Sequence, residues 1–316
     1  MKVNPLALLY GAVVGGRNAF YERRILRSRA LQGPVVSVGN ISAGGSGKTP
    51  FVILLGELLK ARGIRFDVLS RGYGRRTRGV LLVDPGGLPR EFGDEPLLIA
   101  RRLQVPVVVG EDRYEAGVFA EARFGPQMHL LDDGFQHRGL ARDFDIVLVT
   151  PEDGRDSLLP SGRLREPLRS LQRANAVVLA SGATAESFPL ADKTVWRLRR
   201  GIVAQNVPQR PVVFCGIARP KNFLLQLRAA GIDPIAEAFF RDHHAYTEKD
   251  VRDLLRLKEQ SEAGGFVTTE KDAVNLGGYL EALAPLAVVP VKMELADAAN
   301  TMDTMLRVIE ERRQRS

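Results

Sequence analysis

VVSVGNISAGGSGKTP, residues 35–50, decides how the rest of the chain is read. Val35–Val38 is a short, largely apolar, β-branched run, which reads as a buried strand. A glycine-rich turn follows it. Gly47-Lys48-Thr49 then opens a helix predicted over Phe51–Lys60, with Pro50 near its first turn and Gly63 just past its end. Strand, glycine turn, Lys-Thr and helix in that order make a phosphate-binding loop of the Walker A kind. Glycines let backbone N–H groups curl around phosphate oxygens, and the helix N-terminus adds its positive end. The candidate nucleotide-binding residues are therefore Ser42, Ala43, Gly44, Gly45, Ser46, Gly47, Lys48 and Thr49. Lys48 is placed to reach β/γ-phosphates and Thr49 to ligate Mg²⁺. One departure stands out: the pattern GxxxxGK[ST] has glycine where Ser42 stands, and Gly44 and Gly45 supply the flexibility instead.

Working outward, short apolar strands alternate with helices. Phe66–Leu69, Val80–Val83, Val105–Val109, Met128–Leu131, Ile146–Val149 and Ala176–Leu179 read as strands, and Asp112–Arg123 as a helix. That alternation predicts an α/β fold: a parallel sheet with helices on both faces. After Ser181 the pattern thins into a polar stretch holding Arg197, Arg199, Arg200 and Pro208. A second series begins at Val212–Cys215. It continues with a helix near Phe223–Ala230, a strand near Ile235–Phe240, a helix from Thr247, strands at Val267 and Val288–Val291, and a charged final helix. The expected division is a phosphate-loop domain over residues 1–205 and a smaller α/β domain over 206–316.

Several acidic and basic clusters accompany the loop. His129-Leu130-Leu131-Asp132-Asp133 has the strand-then-carboxylate form of a Walker B segment, and an acid there sits near the phosphate loop of a parallel sheet. Asp132 or Asp133 can hold Mg²⁺ directly or through water. Gly93-Asp94-Glu95-Pro96 puts two acids in a turn before a helix, where they either cap it or supply a general base for an attacking hydroxyl. Ser70 to Arg76 (SRGYGRR) is a basic, glycine-punctuated loop that clamps an anion or is simply solvated. Asp242-His243-His244, with Tyr246 nearby, pairs carboxylate with imidazole in the second series.

Composition narrows the classes. The 316 residues carry 45 Lys and Arg against 37 Asp and Glu, a net charge of +8, which favours anionic partners. A single cysteine, Cys215, excludes an intrachain disulfide and a thiolate metal cluster. Four histidines are too few for a histidine-built cage. A reducing, cytosolic compartment follows. Residues Pro5 to Gly16 are apolar and uncharged but short of the ~20 residues that a membrane-spanning helix needs. Lys2 alone makes a weak signal-peptide n-region, and no small-residue cleavage site precedes the cluster Arg17, Arg23, Arg24, Arg27 and Arg29. This segment reads either as a helix lying in a headgroup region or as an N-terminal helix packed on the domain.

Seven segments in fixed order resemble the tetraacyldisaccharide 4'-kinases, the lipid A 4'-kinases of Gram-negative bacteria. They are VGNISAGGSGKTP (38–50), SRGYGR (70–75), GDEP (93–96), LLDDGFQH (130–137), LLPSGRLREP (158–167), FRDHHAYT (240–247) and TTEKDAVNL (268–276). Serine at position 42 and proline at position 50 both follow that family's pattern. The resemblance implies a phosphate-loop kinase with a smaller C-terminal α/β domain. It would use ATP and Mg²⁺ to phosphorylate the 4'-hydroxyl of tetraacyldisaccharide 1-phosphate, giving lipid IVA, at the cytoplasmic face of the inner membrane. It further implies catalytic roles for Lys48, Asp94 as base and His243 crossing from the second domain to tune it. Thr49, Glu95, Asp132 and Asp133 would hold the metal, and Arg71 and Arg113 would contact anionic groups of donor or acceptor. The membrane surface and the lipid are the implied partners; no nucleic acid and no obligate protein partner is inferred.

Two other classes compete. A phosphate-loop GTPase switch or metal/cargo chaperone would carry an NKxD guanine motif, and Thr269-Glu270-Lys271-Asp272 has the wrong spacing for one. A nucleic-acid-dependent ATPase fits the charge, but the sequence has no aromatic stacking platform.

Overall fold

The computed structural model describes residues 4–315; Lys2 of the weak n-region lies outside the described residues. The chain opens with α1 (Pro5–Glu22), then β1 (Val35–Asn40), α2 (Lys48–Ala61), β2 (Phe66–Ser70), β3 (Leu81–Leu82), α3 (Pro89–Phe92) and α4 (Asp94–Leu103). β4 (Val107–Val109), α5 (Arg113–Phe124), β5 (Met128–Asp132), β6 (Phe144–Val149), β7 (Ala176–Leu179) and β8 (Thr194–Ile202) follow. The remainder is β9 (Val212–Cys215), α6 (Pro220–Ala229), β10 (Ala236–Phe239), α7 (Glu248–Gln260), β11 (Phe266–Thr269), α8 (Glu270–Leu276), β12 (Leu286–Val289), β13 (Val291–Leu295) and α9 (Ala298–Gln314).

Among the described residues two sheets form. The larger has the order β13-β8-β7-β6-β1-β5-β2-β4-β3 and the smaller β10-β9-β11-β12. All pairings are parallel except β3 with β4 and β13 with β8, at the two edges of the larger sheet. β1 is buried along its whole length because helices cover both faces. One face packs Val36, Val38 and Ile146 against Phe51 and Leu55 of α2, Leu97 of α4 and Met302 of α9. The opposite face packs Val35, Leu69 and Leu131 against Ala116 and Ala120 of α5.

The expected alternation holds, with corrections that have physical causes. α2 starts at Lys48, a turn before the predicted Phe51, because Pro50 suits a first helical turn. Asp112 caps α5 rather than opening it, its side chain accepting from the Tyr114 N–H. Asp94 and Glu95 are the first residues of α4, not a turn before it. The polar stretch after Ser181 contains β8, a nine-residue strand between β7 and the edge strand β13, whose Trp196 and Leu198 point inward while Arg197 and Arg199 point to solvent. Its alternation is hidden by the arginines.

Residues 291–314 overturn the expected division of the chain. The predicted strand Val288–Val291 is two strands split at Pro290, which has no N–H to continue a ladder. β13 crosses to pair antiparallel with β8 in the larger sheet, and α9 packs on that sheet's core. The smaller layer is therefore an insertion between β8 and β13, not a C-terminal half running to residue 316.

α1 buries none of its residues. Leu6, Leu8, Leu9 and Val13 are 62–63% exposed, so the packed-helix alternative fails for this apolar face. Polar contacts tether the helix instead: Tyr10 donates to the Arg165 carbonyl (3.0 Å), and Asn18 to Glu166 (2.8 Å). No helix among the described residues is long and apolar enough to cross a membrane.

Met302 tests the return of the chain, since it is fully buried in the larger core with Trp196, the one tryptophan. Met302→Ala should cost about 2–5 kcal/mol. Urea unfolding followed by Trp196 fluorescence would register that loss; an unchanged midpoint would detach α9 from the larger core.

Candidate active site

Parallel strands put ligands at their C-terminal ends, and here β1, β2 and β5 end side by side in Asn40, Ser70 and Asp132. Register sets Val38 opposite Asp132, so the phosphate loop and the acidic pair leave adjacent strands at one level. They wall a cavity of about 970 Å³. Residues Ala43 to Thr49 line it, with Glu95, Asp132, Asp133, Arg71, Arg113 and His243. The structure thus brings most of the predicted residues to one place.

Two predicted residues stand back from the wall. Ser42 is fully buried beneath the loop, bridged to Leu164. The Ala43 N–H donates to the Arg163 carbonyl and is already used. Asp94, 4% exposed, sits behind His243.

Gly44 and Gly47 need to be glycine. Their φ values are +89° and +86°, and Gly47 is the N-cap of α2. No side chain caps that helix, so its first turn presents open N–H groups to the cavity. Lys48 lies 3.2 Å from Asn40 Oδ1 and 3.5 Å from Asp133 Oδ1.

The two neighbouring acids have opposite environments. Asp133, in left-handed backbone, is held by Arg165 (2.9 Å) and Lys48. Burial opposes its charge, but these two cations outweigh it and hold its carboxyl below the usual range. Asp132 has no cation in contact. Burial, then the charges of Glu95 and Asp133, push it up to about 7, and its buried Oδ1 has no hydrogen-bond partner. A divalent cation at that oxygen would supply the missing charge, so the residues fit Mg²⁺. No cage of three or more His, Cys, Asp or Glu side chains exists among the described residues. Mg²⁺ does not need one, since it takes one or two carboxylates and completes its shell with phosphates and water.

The second cluster joins the two layers. His243 Nδ1 lies 2.9 Å from both Asp94 oxygens, and Asn275 donates to Oδ2 at 3.1 Å. Lys271 Nζ is 3.1 Å from His243 Nε2, 3.0 Å from Asp242, 3.6 Å from Glu95 and 3.9 Å from Asp94. An ammonium only donates, so Nε2 accepts and Nδ1 carries the proton given to Asp94. Burial works against the Asp94 charge, yet the His243 bond and Lys271 hold its carboxyl below the usual range. Burial also lowers His243, but Asp94 outweighs it and raises the imidazole above its ordinary value. A proton arriving at Nε2 requires Lys271 to turn to Asp242 or Glu95. His244 faces away, bonded to Asp250 (3.1 Å).

Sequence reasoning missed Lys271, Asn275 and Arg165. The first two lie in TTEKDAVNL, where both face the larger layer one turn apart on α8. Nothing local marks them, because the Asp94 carboxylate that both face is about 180 residues away in sequence. Arg113 is buried, donating to the Gly110 and Glu111 carbonyls. Arg71 is exposed at the cavity rim.

The family model for tetraacyldisaccharide-1-P 4'-kinase (LpxK) matches residues 1–310. The chain belongs to this family. A curated tetraacyldisaccharide 4'-kinase from Koribacter versatilis is 50% identical over 98% of this chain and 99% of that protein. One from Chlorobaculum tepidum is 42% identical over 85% of each. A crystal structure of LpxK from Aquifex aeolicus in complex with ATP matches at a TM-score of 0.79 and 34% identity, covering 96% of this chain and 98% of that one. Kinase membership sets aside the GTPase-switch and nucleic-acid readings, and the α/β phosphate-loop fold is shared with that structure.

The raised Asp132 carboxyl gives a pH test without divalent cation. The folded state binds a proton that the unfolded chain releases near 3.8, so its contribution is complete below that pH and is lost as pH rises through about 7. Asp132→Asn should flatten this part of the melting-temperature profile. An identical slope in the variant would place the titration elsewhere.

Proposed function

We propose that this chain transfers the γ-phosphoryl group of ATP to the 4'-hydroxyl of tetraacyldisaccharide 1-phosphate, giving lipid IVA, at the cytoplasmic face of the inner membrane. The observation that carries this reading is one cavity in which a phosphate loop faces the Asp132 pair and the His243 and Lys271 side chains that hold Asp94.

Lys48 and the open N–H groups of α2 receive the phosphates. Thr49 and Asp132, with Glu95 and Asp133 beside them, hold Mg²⁺. That ion supplies charge neutralisation on the phosphoryl oxygens. A sugar hydroxyl is a poor nucleophile and needs a proton acceptor and in-line placement. Asp94 is that acceptor, and His243 and Asn275 fix its carboxylate. Because His243 belongs to the smaller layer, the acceptor is complete only when the two layers are docked, as they are here. Such an arrangement limits wasteful hydrolysis of ATP. Arg71 and Arg113 face the phosphorylated ligands.

α1 presents the enzyme to the lipid. Its exposed leucines enter the acyl boundary, and the arginines that follow meet anionic headgroups. Tyr10 lines the cavity and bonds Arg165, so the membrane face and the phosphate site adjoin.

Incubating the protein with Mg·ATP and the tetraacyldisaccharide 1-phosphate should add a second phosphate to the lipid, read by mass spectrometry; ATP consumption without lipid product would refute the reading. Asp94→Ala should lower turnover by about 10²–10⁴-fold with ATP affinity nearly intact; wild-type turnover would remove Asp94 from the acceptor role. Leu8→Glu with Leu9→Glu should weaken sedimentation with anionic vesicles. Unchanged binding would leave α1 without a membrane role.

A further inference from the structure

The first turn of α2 is short of a donor. A helix start offers its free N–H groups to an anion, but the third residue of this helix is Pro50, which has none. The next N–H, of Phe51, is already bonded to the Gly47 carbonyl.

Beside this gap lies an arginine without a counter-charge. Arg200 is on β8, in register with Met293 of β13. A Cβ built on Gly47 would meet Met293 Cε at 2.8 Å and Arg200 Nη1 at 3.9 Å, so the guanidinium reaches the N-cap of α2. It lines the same cavity. Its Nε is buried with no hydrogen-bond partner, and no acid pairs with it among the described residues. The neighbouring charge is another cation, Arg219, which is itself satisfied by Glu152 at 2.9 Å. A largely buried cation that faces another cation is costly unless an anion joins them.

The sheet order gives the direction of that anion. The acids that serve the transferred group leave β5, on one side of β1, while β8 lies on the other side. A triphosphate whose terminal group faces Asp132 and Asp94 runs back toward β8. We propose that Arg200 is a nucleotide-binding residue that grips the α/β-phosphates at the first turn of α2, supplying the donor that Pro50 lacks. This rests on the phosphate-loop reading above. Arg200 touches the part of the nucleotide that does not react, so it serves binding rather than the chemical step.

Calorimetric titration separates the possibilities, using the full chain with ATP and ADP, and adenosine as a phosphate-free probe. Arg200→Met, which keeps the aliphatic stem, should weaken both nucleotides by about 10–100-fold, the size of a charge-assisted hydrogen bond. Arg200→Lys should recover part of that loss. The adjacent exposed Arg199→Met should bind as wild type. In turnover assays the KM for ATP should rise while the KM for lipid holds. If Arg200→Met binds ATP within about twofold of wild type while Lys48→Met loses it, the Arg200 assignment falls and the phosphate loop stands. If Lys48→Met also binds normally, the phosphate-loop reading itself falls. An equal loss for adenosine moves Arg200 from the phosphates to the base and overturns the proposal. Trp196 fluorescence checks folding; should Arg200→Met not fold, the Arg200→Lys affinities and KM split decide.

Discussion

One ammonium among three carboxylates holds the two layers in register. Lys271 on α8 of the smaller layer lies between Asp242 of its own layer and the Asp94–Glu95 pair that opens α4 of the larger one. A half-buried ion cluster of this kind contributes little net stability, because desolvation offsets most of the attraction. Its geometry is strict, however, since three acids around one cation leave few alternative arrangements. Apolar packing stabilises the same contact without that strictness: Val274 of α8 enters the larger core beside Leu97. Burial joins the layers, and charge decides where His243 sits.

The same field differentiates chemically identical side chains. Asp132 and Asp133 are consecutive, yet Asp133 is held ionised by Lys48 and Arg165 while Asp132 is pushed up to about 7. The cause is the change of direction at Asp133, whose left-handed backbone turns its carboxylate toward the cations. Asp132 remains at the strand end, beneath Glu95 and beside Ser70 (3.3 Å), with one oxygen unpartnered. Positive charge gathers on one side of the loop and unrelieved negative charge on the other. A metal-bound polyanion answers both.

Polar tethers rather than burial carry α1. Glu166 accepts from Asn18 and is itself clamped by Arg173 at 2.7 Å. Tyr10, Arg165 and Asp133 then form a chain from the exposed helix to Lys48. The apolar face of α1 is thus left uncovered beside the cavity that the phosphate loop lines.

Local sequence determined the parts whose physics is local. The phosphate loop, the acidic strand end and the alternation of strands and helices are written in glycines, in Lys48-Thr49 and in apolar runs of fixed length, all within a few residues of one another. The seven family segments extended that reading to Asp94 and His243. Tertiary structure alone decided the rest. β8 is masked because one of its faces lies open to solvent and lets arginines alternate with core residues, and β13 shows its partner only where Pro290 sends the chain back. Lys271, Asn275 and Arg200 acquire their significance from groups that sit far away along the chain. Electrostatic work depends on distance and burial, which no linear pattern of residue types encodes.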